Sequence, residues 1–382
     1  MDCRNVLEMV DGLYPQYLDV WEDVCNIESP TGYKAGVDAV GSYFIRMATE
    51  RGWQVEVAPQ AVAGDAICIT MNPDAPKAPV SLSAHLDTVH PVGAYGGHPV
   101  HRDETYIYGP GTVDCKGGAV AAFLAMDALH RCGFQERPVQ LILQTDEETG
   151  SKQSGKTTVE FMCRKAAGSI AFLNTEECKN HTAVVQRKGI LRYRFVVSGQ
   201  AAHSSMCYKG GSAIAEAAHK ILQLEAWKER EGLTCNCGVI HGGTVANVVA
   251  AECVFEADFR FVTEQQLAKA NALCRELAQT VFVPGCSCRL EKISERPAME
   301  IVEENLALLA KMNAIYGENG LPILQPRAVP GGSDAAYTTL AGIPTVDSIG
   351  VDGDGKHTLH EKARLYSLAE SAKRMAAAAA CL

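Results

Sequence analysis

The first half of the chain alternates between segments patterned as helices and short segments patterned as strands. Apolar residues recur at helical spacing over residues 3–26, 35–51, 117–131 and 157–165. The strand patterns cover residues 53–57, 66–71, 80–84, 139–144 and 169–173. Strands that alternate with helices indicate a three-layer α/β domain with a largely parallel sheet. Ligands bind such domains beyond the carboxyl ends of the strands, so a functional site is expected there.

The pattern changes near residue 190. Strand patterns at 190–198, 248–262 and 287–293 surround helical patterns at 212–228 and 265–281, which predicts a small α+β sandwich. The α/β pattern of the first half then returns, with helices at 303–316 and 335–340, a strand at 345–349 and a helix from about Arg364. A chain of 382 residues is longer than the chains that usually fold around a single hydrophobic core. We therefore expect a discontinuous domain of residues 1–189 and 299–382, with an inserted domain of residues 190–298.

Charge and composition exclude some classes of partner. The net charge is −10 and no basic block occurs, so neither a nucleic-acid partner nor a membrane surface is expected. The first residues carry charges every few positions, unlike a signal peptide, and no 18-residue apolar run follows. The 15 cysteines are scattered and odd in number, which favours buried thiols in a reducing cytoplasm over disulfides.

Clusters of polar residues follow several of the predicted strands. His85 comes directly after the apolar residues VSLSA, and Asp87 is two residues further on. An imidazole is a good zinc ligand, and a nearby carboxylate can accept its other ring N–H and fix its orientation. Two acidic clusters, Asp146-Glu147-Glu148 and Glu176-Glu177, follow two further strands. Adjacent carboxylates repel one another unless a cation neutralises them.

A glycine-rich segment, GPGTVDCKGG, precedes the helix predicted at 117–131. It has neither the GxxxxGK[ST] nor the GxGxxG spacing of a phosphate-binding loop. Asp114 in its centre would repel phosphate and attract a cation, so the segment favours a metal. One imidazole and several carboxylates at the ends of separate strands would converge at one sheet edge. Such a mixed set suits zinc, and two metals that share one carboxylate suit hydrolysis.

Three ordered motifs, SAHLDTV, GPGTVDCKGG and DEETGS, resemble the M20 family of metallopeptidases over nearly the whole chain. The resemblance implies that His85 binds one metal, Asp114 bridges two metals and Glu148 binds the second. It implies that Glu147 is the general base and that Asp87 orients His85. It also implies a cis peptide bond between Asp114 and Cys115.

Two further ligands implied by the family leave alternatives open. The acidic ligand falls on Glu176 or Glu177, and the count back from the segment QRKG favours Glu176. The last histidine ligand normally begins an H-x-x-x-E segment. His357 and Glu361 fit this pattern, with His360 as the alternative.

The inserted domain also matches the family. GQAAHSS resembles the segment whose histidine, here His203, reaches across a dimer and stabilises the oxyanion. Asn247 and Arg296 fit positions near a substrate carboxylate, and a guanidinium is the natural bidentate partner of that group. Arg260 is either a substrate contact or a structural ion-pair partner. Gly332, in the segment GGSD, would line the substrate site. His90, His98, His101 and His241 lie in no motif, so no role is predicted for them.

These observations predict a zinc-dependent hydrolase that cleaves an amide bond next to a free carboxylate in a small peptide. Two Zn²⁺ ions per subunit are expected, with Co²⁺ or Mn²⁺ as possible substitutes, and a homodimer formed through the inserted lid domain. An N-acyl-amino-acid deacylase uses the same chemistry on a similar anion and is the alternative. A non-catalytic metal-binding relative is disfavoured because Glu147 and the candidate ligands are all present.

Overall fold

The computed structural model describes residues 2–96, 100–229 and 232–382. The chain divides into two compact units. The first contains the residues up to Val185, Ile301–Ala328 and Ser333–Leu382. The second contains Gln186–Glu300 and Val329–Gly332, and its chain segments therefore interrupt those of the first unit.

The helices of the described residues are α1 (Cys3–Asn26), α2 (Lys34–Glu50), α3 (Lys116–Arg131), α4 (Thr157–Ala166), α5 (Ala213–Glu225), α6 (Glu264–Gln279), α7 (Glu303–Glu318), α8 (Ala335–Leu340) and α9 (Tyr366–Cys381). Short 3₁₀ segments cover Glu147–Thr149, Lys179–His181 and Ser204–Lys209. Among the described helices, none has both the length and the apolar character that a membrane span requires.

The strands are β1 (Gln54–Ala58), β2 (Ala66–Met71), β3 (Val80–His85), β4 (His101–Arg102), β5 (Tyr106–Tyr108), β6 (Val139–Gln144), β7 (Ala171–Asn174), β8 (Thr182–Arg187), β9 (Gly189–Ser198), β10 (Thr234–Gly242), β11 (Glu252–Phe261), β12 (Ser287–Arg296), β13 (Gln325–Val329), β14 (Thr345–Val346), β15 (Gly353–Asp354) and β16 (Lys362–Arg364). The strand predicted at 345–349 ends early, because Ser348 has a φ of 61° that an extended strand does not allow.

The main sheet of the first unit has the strand order β1-β2-β6-β3-β7-β14. Its last four strands, β6, β3, β7 and β14, are parallel to one another. β1 and β2 form an antiparallel edge, and β2 also pairs antiparallel with β6. The carboxyl ends of β6, β3 and β7 therefore lie side by side at one edge of the sheet.

Both faces of this sheet are covered. Along β2, Ile67 and Ile69 join the large core formed with α1, α2, α3, α7 and α9, whereas Ala66 and Cys68 join a smaller core with α4. Burial on both sides explains why the strands are nearly continuous apolar runs, as expected for a parallel sheet. The predicted three-layer α/β architecture is confirmed.

The second unit is an antiparallel sheet with the strand order β10-β11-β9-β12, packed with α5 and α6. Its core includes the stacked rings of Phe195 and Phe255, whose centroids are 4.6 Å apart. The predicted α+β sandwich is confirmed, but the strand predicted at 248–262 is wrong at its start. β11 begins at Glu252, and the preceding Val245 and Val248 are exposed in a loop. Alternating apolar residues alone did not reveal that these valines face away from the core.

A small sheet in the first unit, with the order β15-β16-β5-β4, was not predicted. Its strands contain two or three residues each, too few for an alternating pattern to be recognised. The segment between β15 and β16 carries His357 and Glu361, so this sheet anchors both ends of a chemically important loop. β10 was also missed, because most of its residues are exposed and it lacks an apolar face.

Candidate metal centre

Three residues from different elements of the first unit form a buried group at the sheet edge. His85 is the last residue of β3, Glu176 lies two residues beyond the end of β7, and Asp114 lies just before α3. Candidate ligand atoms of these three side chains all lie within 4.8 Å of one another. The parallel pairing of β3 with β7 produces this convergence, because it brings both strand ends to the same edge.

A second group shares Asp114 with the first. Candidate ligand atoms of Asp114, Glu148 and His357 also lie within 4.8 Å of one another. Oδ1 of Asp114 is 3.0 Å from Nε2 of His85, and Oδ2 is 3.2 Å from Nε2 of His357. His357 Nε2 is also 3.2 Å from Oε2 of Glu148. One carboxylate thus presents a separate oxygen to each group.

Asp87 organises the site without belonging to either group. Its carboxylate accepts hydrogen bonds from the backbone N–H groups of Glu147 (3.2 Å) and Glu148 (3.1 Å). The Thr31 hydroxyl donates to the same carboxylate at 2.7 Å. Nδ1 of His85 lies 3.3 Å from Oδ1 of Asp87. Asp87 therefore fixes the ring of one candidate ligand and the backbone of the acidic turn together.

Glu147 is buried, with 7% of its surface exposed, and lies outside both candidate ligand groups. It begins the 3₁₀ segment Glu147–Thr149, three residues after the end of β6. Its charge contributes to the raised pKa values of Glu148 and Glu176, so it lies near both. The arrangement keeps one carboxylate beside the ligand groups and outside them.

The charges of the site favour a bound cation. Burial raises the pKa of Glu176 to about 8, and the nearby charge of Asp114 adds to this effect. Burial likewise raises the pKa of Glu148 to about 7. Hydrogen bonds to Asp114 and Glu148 raise the pKa of His357 to about 10. Protons thus compensate the crowded carboxylates, and a divalent cation held by these imidazole nitrogens and carboxylate oxygens would replace them. The donor set fits zinc.

Glu361 is a buried carboxylate to which sequence reasoning gave no role. It accepts hydrogen bonds from the backbone N–H groups of Gly111 (3.1 Å), Val113 (2.8 Å) and Asp114 (3.0 Å). Burial raises its pKa to about 7. The H-x-x-x-E spacing from His357 was the available signal, but it was used only to identify the histidine. Glu361 holds the loop that carries the shared aspartate.

The loop before α3 is fixed on its other side as well. The peptide bond between Asp114 and Cys115 is cis, which confirms that prediction. Lys116 is fully buried, and its Nζ donates to the backbone oxygen of Ile27 at 2.6 Å and to that of Val24 at 3.4 Å. The loop is thereby attached to the end of α1, a link that the sequence did not indicate.

The structure brings Glu176 and His357, rather than their alternatives, into the ligand groups. Glu177 instead lies 3.3 Å from Nζ of Lys356 and 3.8 Å from Nζ of Lys179. His360 is exposed and belongs to neither group. Of the histidines without a predicted role, His90 and His101 pack against tyrosine rings, His241 is exposed on β10, and His98 lies outside the described residues.

In the second unit, Arg296 and Gly332 lie against each other. A Cβ atom added to Gly332 would lie 2.7 Å from Cδ of Arg296, which is closer than Cβ atoms approach other heavy atoms in proteins. Nη1 of Arg187 donates to the backbone oxygens of Gly331 and Gly332, both at 3.3 Å. Arg187 was not predicted to have a role. These contacts join two of the predicted substrate residues into one group, in which the two arginines are buried.

The other predicted residues of this unit lie in two places. The backbone N–H of Ser204 donates to the backbone oxygen of Asn247 at 3.0 Å, which puts Asn247 beside exposed His203. Nδ1 of His203 is 2.9 Å from the Ser205 hydroxyl oxygen. Arg260 on β11 pairs with Asp258, with Nε 2.7 Å from Oδ1, so it forms the structural ion pair that was one of its two interpretations.

Comparisons with known proteins agree with this architecture. The chain is similar to carboxypeptidase G2 of Pseudomonas sp. (strain RS-16), with 26% identity over 370 residues that cover 96% of this chain and 88% of the relative. A probable carboxypeptidase of Aspergillus clavatus is 29% identical over 270 residues, which cover 65% of this chain and 58% of that protein.

Solved structures share the fold. Aminopeptidase PepT from Bacillus cereus superposes with a TM-score of 0.78 at 20% identity, over 96% of this chain and 98% of the other. The M20 family metallo-carboxypeptidase Sso-CP2 from Sulfolobus solfataricus gives a TM-score of 0.72 at 16% identity, over 95% and 98%.

The family itself is established by sequence. The sequence model of peptidase family M20/M25/M40 matches residues 81–380, which is well over half of the chain and includes every candidate ligand. The resemblance carried by the three motifs is thereby confirmed. The chain therefore belongs to peptidase family M20/M25/M40, a family of metal-dependent hydrolases.

Proposed function

We propose that this hydrolase binds two zinc ions and cleaves the amide bond next to a free carboxylate in a small peptide. The observation that carries the proposal is the pair of ligand groups that share Asp114, with Glu147 buried beside them and outside both. In this proposal one ion would be held by His85, Asp114 and Glu176. The other would be held by Asp114, Glu148 and His357.

The chemistry divides between the ions and the side chains. Bound zinc would supply Lewis acidity, which lowers the pKa of a water molecule and polarises an amide carbonyl. Glu147 would accept the proton of the attacking water on its carboxylate and deliver it to the leaving amine nitrogen. Asp87 would hold Glu147 in position through the backbone N–H of that residue.

Recognition of a carboxylate is assigned in this proposal to Arg296 and the adjacent Gly332, and also to Asn247. Arg296 is buried, and a buried guanidinium is a strong bidentate partner for a carboxylate. The similarity to a carboxypeptidase over 96% of the chain supports the same substrate class. Arg260 is omitted from this set, since Asp258 already pairs with its guanidinium.

The test is a panel of substrates given to the zinc-loaded protein. Dipeptides, tripeptides and N-acyl amino acids are compared with their C-terminally amidated counterparts, and Glu147→Gln is the control. We expect hydrolysis of peptides with a free carboxylate, strong loss with amidated peptides, and loss of turnover in Glu147→Gln with zinc binding retained. The same panel with Co²⁺ or Mn²⁺ identifies the most active metal.

Other outcomes of this panel would support one of the alternative functions. Hydrolysis of N-acyl amino acids in preference to all peptides would identify a deacylase instead. Equal rates on amidated and free peptides would contradict the role given to Arg296. No turnover on any substrate, with zinc bound, would favour a non-catalytic metal-binding protein.

We also propose a homodimer formed through the second unit, in which His203 acts on the partner's site. β10 is an edge strand of the antiparallel sheet, and Val239 and Ile240 on it are exposed. Exposed apolar edge strands are prone to pair with another chain. His203 is also exposed, and its Nε2 has no hydrogen-bond partner among the described residues. That nitrogen would donate a hydrogen bond to the developing oxyanion.

Light scattering and a mixing experiment test the dimer. Wild type is expected to have the mass of two chains, and Ile240→Glu is expected to shift it toward one chain with loss of activity. Mixing inactive His203→Ala with inactive Glu147→Gln should restore activity if the histidine serves the partner's site. A wild-type monomer with full activity would contradict this proposal.

A further inference from the structure

Two cysteines from opposite ends of the chain meet in the first unit. Cys3 is the first residue of α1, and Cys381 is the last residue of α9. Each thiol shifts the pKa of the other, so the two side chains lie within interaction distance although nearly the whole chain separates them in sequence. Both cysteines are in the free thiol form. The contact therefore joins α1 to α9.

A second contact fixes the geometry of these helices. Nζ of Lys373 on α9 lies 2.7 Å from Oδ2 of Asp11 on α1. The ion pair lies eight residues after Cys3 on α1 and eight residues before Cys381 on α9, so the two helices run antiparallel here. Eight helical residues rise about 12 Å on both helices, which brings the thiols to the same level. The side chains of both helices also share the main core.

The two thiols differ in ways that suit thiol–disulfide exchange. Cys381 is exposed, whereas Cys3 has only 7% of its surface exposed. The interaction with Cys3 lowers the pKa of the Cys381 thiol to about 7. Since the thiolate is the attacking species, Cys381 is reactive and reachable at neutral pH. Cys3 lies behind it as the resolving thiol.

We propose that Cys3 and Cys381 form a redox-sensitive site that closes into a disulfide between α1 and α9. The oxidant is a small-molecule disulfide of the oxidised-glutathione class. The Cys381 thiolate attacks one sulfur of that molecule, forms a mixed disulfide and releases one thiolate. The Cys3 sulfur then gives up its proton, attacks the Cys381 sulfur and releases the second thiol. One small-molecule disulfide is reduced to two thiols, and two protein thiols are oxidised to one disulfide.

The position of this pair gives the bond a structural consequence. A disulfide there closes a loop that contains almost all of the chain, and the constraint on the unfolded chain grows with loop length. The neighbouring thiols of Cys235 and Cys237, which also interact, differ in this respect. They lie two residues apart on β10, so a bond between them would join no separate elements. Formation of the Cys3–Cys381 disulfide does not require the proposed hydrolase function.

The experiment uses the full chain and oxidised glutathione. The protein is incubated with the disulfide, remaining thiols are alkylated, and non-reduced peptides are identified by mass spectrometry. We expect a linked peptide that contains Cys3 and Cys381 within one chain. We also expect a Tm several degrees above that of the reduced protein, reversed by dithiothreitol. Cys207→Ser, which removes an exposed thiol of the second unit, should behave as wild type.

Two variants test the separate roles of the two thiols. Cys3→Ser should leave Cys381 as a lasting mixed disulfide with glutathione and abolish the Tm increase. Cys381→Ser, at an exposed position, should fold normally and leave Cys3 alkylated only on unfolding. The proposal is overturned if wild-type Cys381 keeps its glutathione while Cys3 stays a thiol. It is also overturned if the linked peptides join two different chains.

Discussion

At the scale of single residues, two buried carboxylates shape the metal centre without belonging to a ligand group. Asp87 accepts hydrogen bonds from the backbone N–H groups of Glu147 and Glu148. Glu361 accepts hydrogen bonds from the backbone N–H groups of Gly111, Val113 and Asp114. Each carboxylate therefore sets the direction of a backbone segment that presents candidate ligands. Partners of this kind tune metal affinity, because they restrict the orientation of the ligands.

Glu361→Ala should weaken metal binding. Removal of the carboxylate leaves three backbone N–H groups without their acceptor, and each buried group left unsatisfied costs about 1–3 kcal/mol. We expect roughly 10–100-fold lower zinc affinity, measured by competition with a chromogenic chelator. Glu361→Gln retains one acceptor oxygen and should lose less. Unchanged affinity in the alanine variant would show that the loop holds its shape without Glu361.

Gly332→Ala should impair recognition of the substrate carboxylate. The added Cβ would lie 2.7 Å from Cδ of Arg296, so the arginine side chain must move. We expect a higher KM for substrates with a free carboxylate, with little change for amidated substrates and none in zinc affinity. Gly331→Ala is the matched control, since its Cβ would meet only Nη1 of Arg187, at 3.8 Å. Similar kinetics in both variants would remove the support for Arg296.

At the scale of elements, the start of α3 is fixed by close approach to the loop after β7. A Cβ on Gly118 would lie 2.2 Å from the backbone oxygen of Thr175, and a Cβ on Gly350 would lie 2.0 Å from the same atom. Thr175 directly precedes Glu176. The glycines therefore allow two segments to pack against the backbone beside a candidate ligand, a contact that any side chain would prevent.

Gly118→Ala should destabilise the protein, although alanine normally favours a helix. The clash is with backbone, which cannot rotate away, and overpacking of this kind costs about 1–3 kcal/mol. Gly12→Ala on α1 is the matched control, because nothing lies within 4 Å of its added Cβ. That variant should gain up to about 1 kcal/mol. Urea denaturation of both variants measures the opposite signs, and a stabilised Gly118→Ala would contradict the packing.

At the scale of the whole molecule, the metal centre links stability to pH. The folded, metal-free protein raises the pKa of Glu148 to about 7, of Glu176 to about 8 and of His357 to about 10. Burial is the main cause for the two glutamates, and hydrogen bonds to carboxylates are the cause for the histidine. In each case the folded state holds its proton more tightly than the unfolded state does.

Metal-free protein should therefore lose stability as the pH rises from about 6.5 to about 8. A raised folded pKa means that the folded state binds more protons in this range, so the free energy of unfolding falls with increasing pH. Zinc should reverse the trend, because binding displaces these protons and strengthens as the pH rises. Thermal unfolding of metal-free and zinc-loaded protein across this range tests both signs. If the Tm of the metal-free protein rises with pH, the raised pKa values of Glu148, Glu176 and His357 are contradicted.

Much of the fold could be predicted from the sequence because its patterns are local. β2, β6 and α8 have the predicted bounds, since buried apolar runs and helical spacing identify elements without reference to the rest of the chain. The short strands around His357 and the exposed strand β10 could not be predicted in this way. Their formation depends on partners distant in sequence, and they carry no apolar pattern of their own.

The candidate site shows the same division. The sequence by itself determined the residue types, the strand-end positions of His85 and Glu147, and the family, because ordered motifs can be recognised without a structure. Only the tertiary structure places Glu176 and His357, and not Glu177 or His360, in the candidate ligand groups, since residues close in sequence differ in the direction of their side chains. It alone revealed Glu361 as a support of the Asp114 loop and the meeting of Cys3 with Cys381. Both depend on contacts between segments far apart in sequence, which only the folded chain brings together.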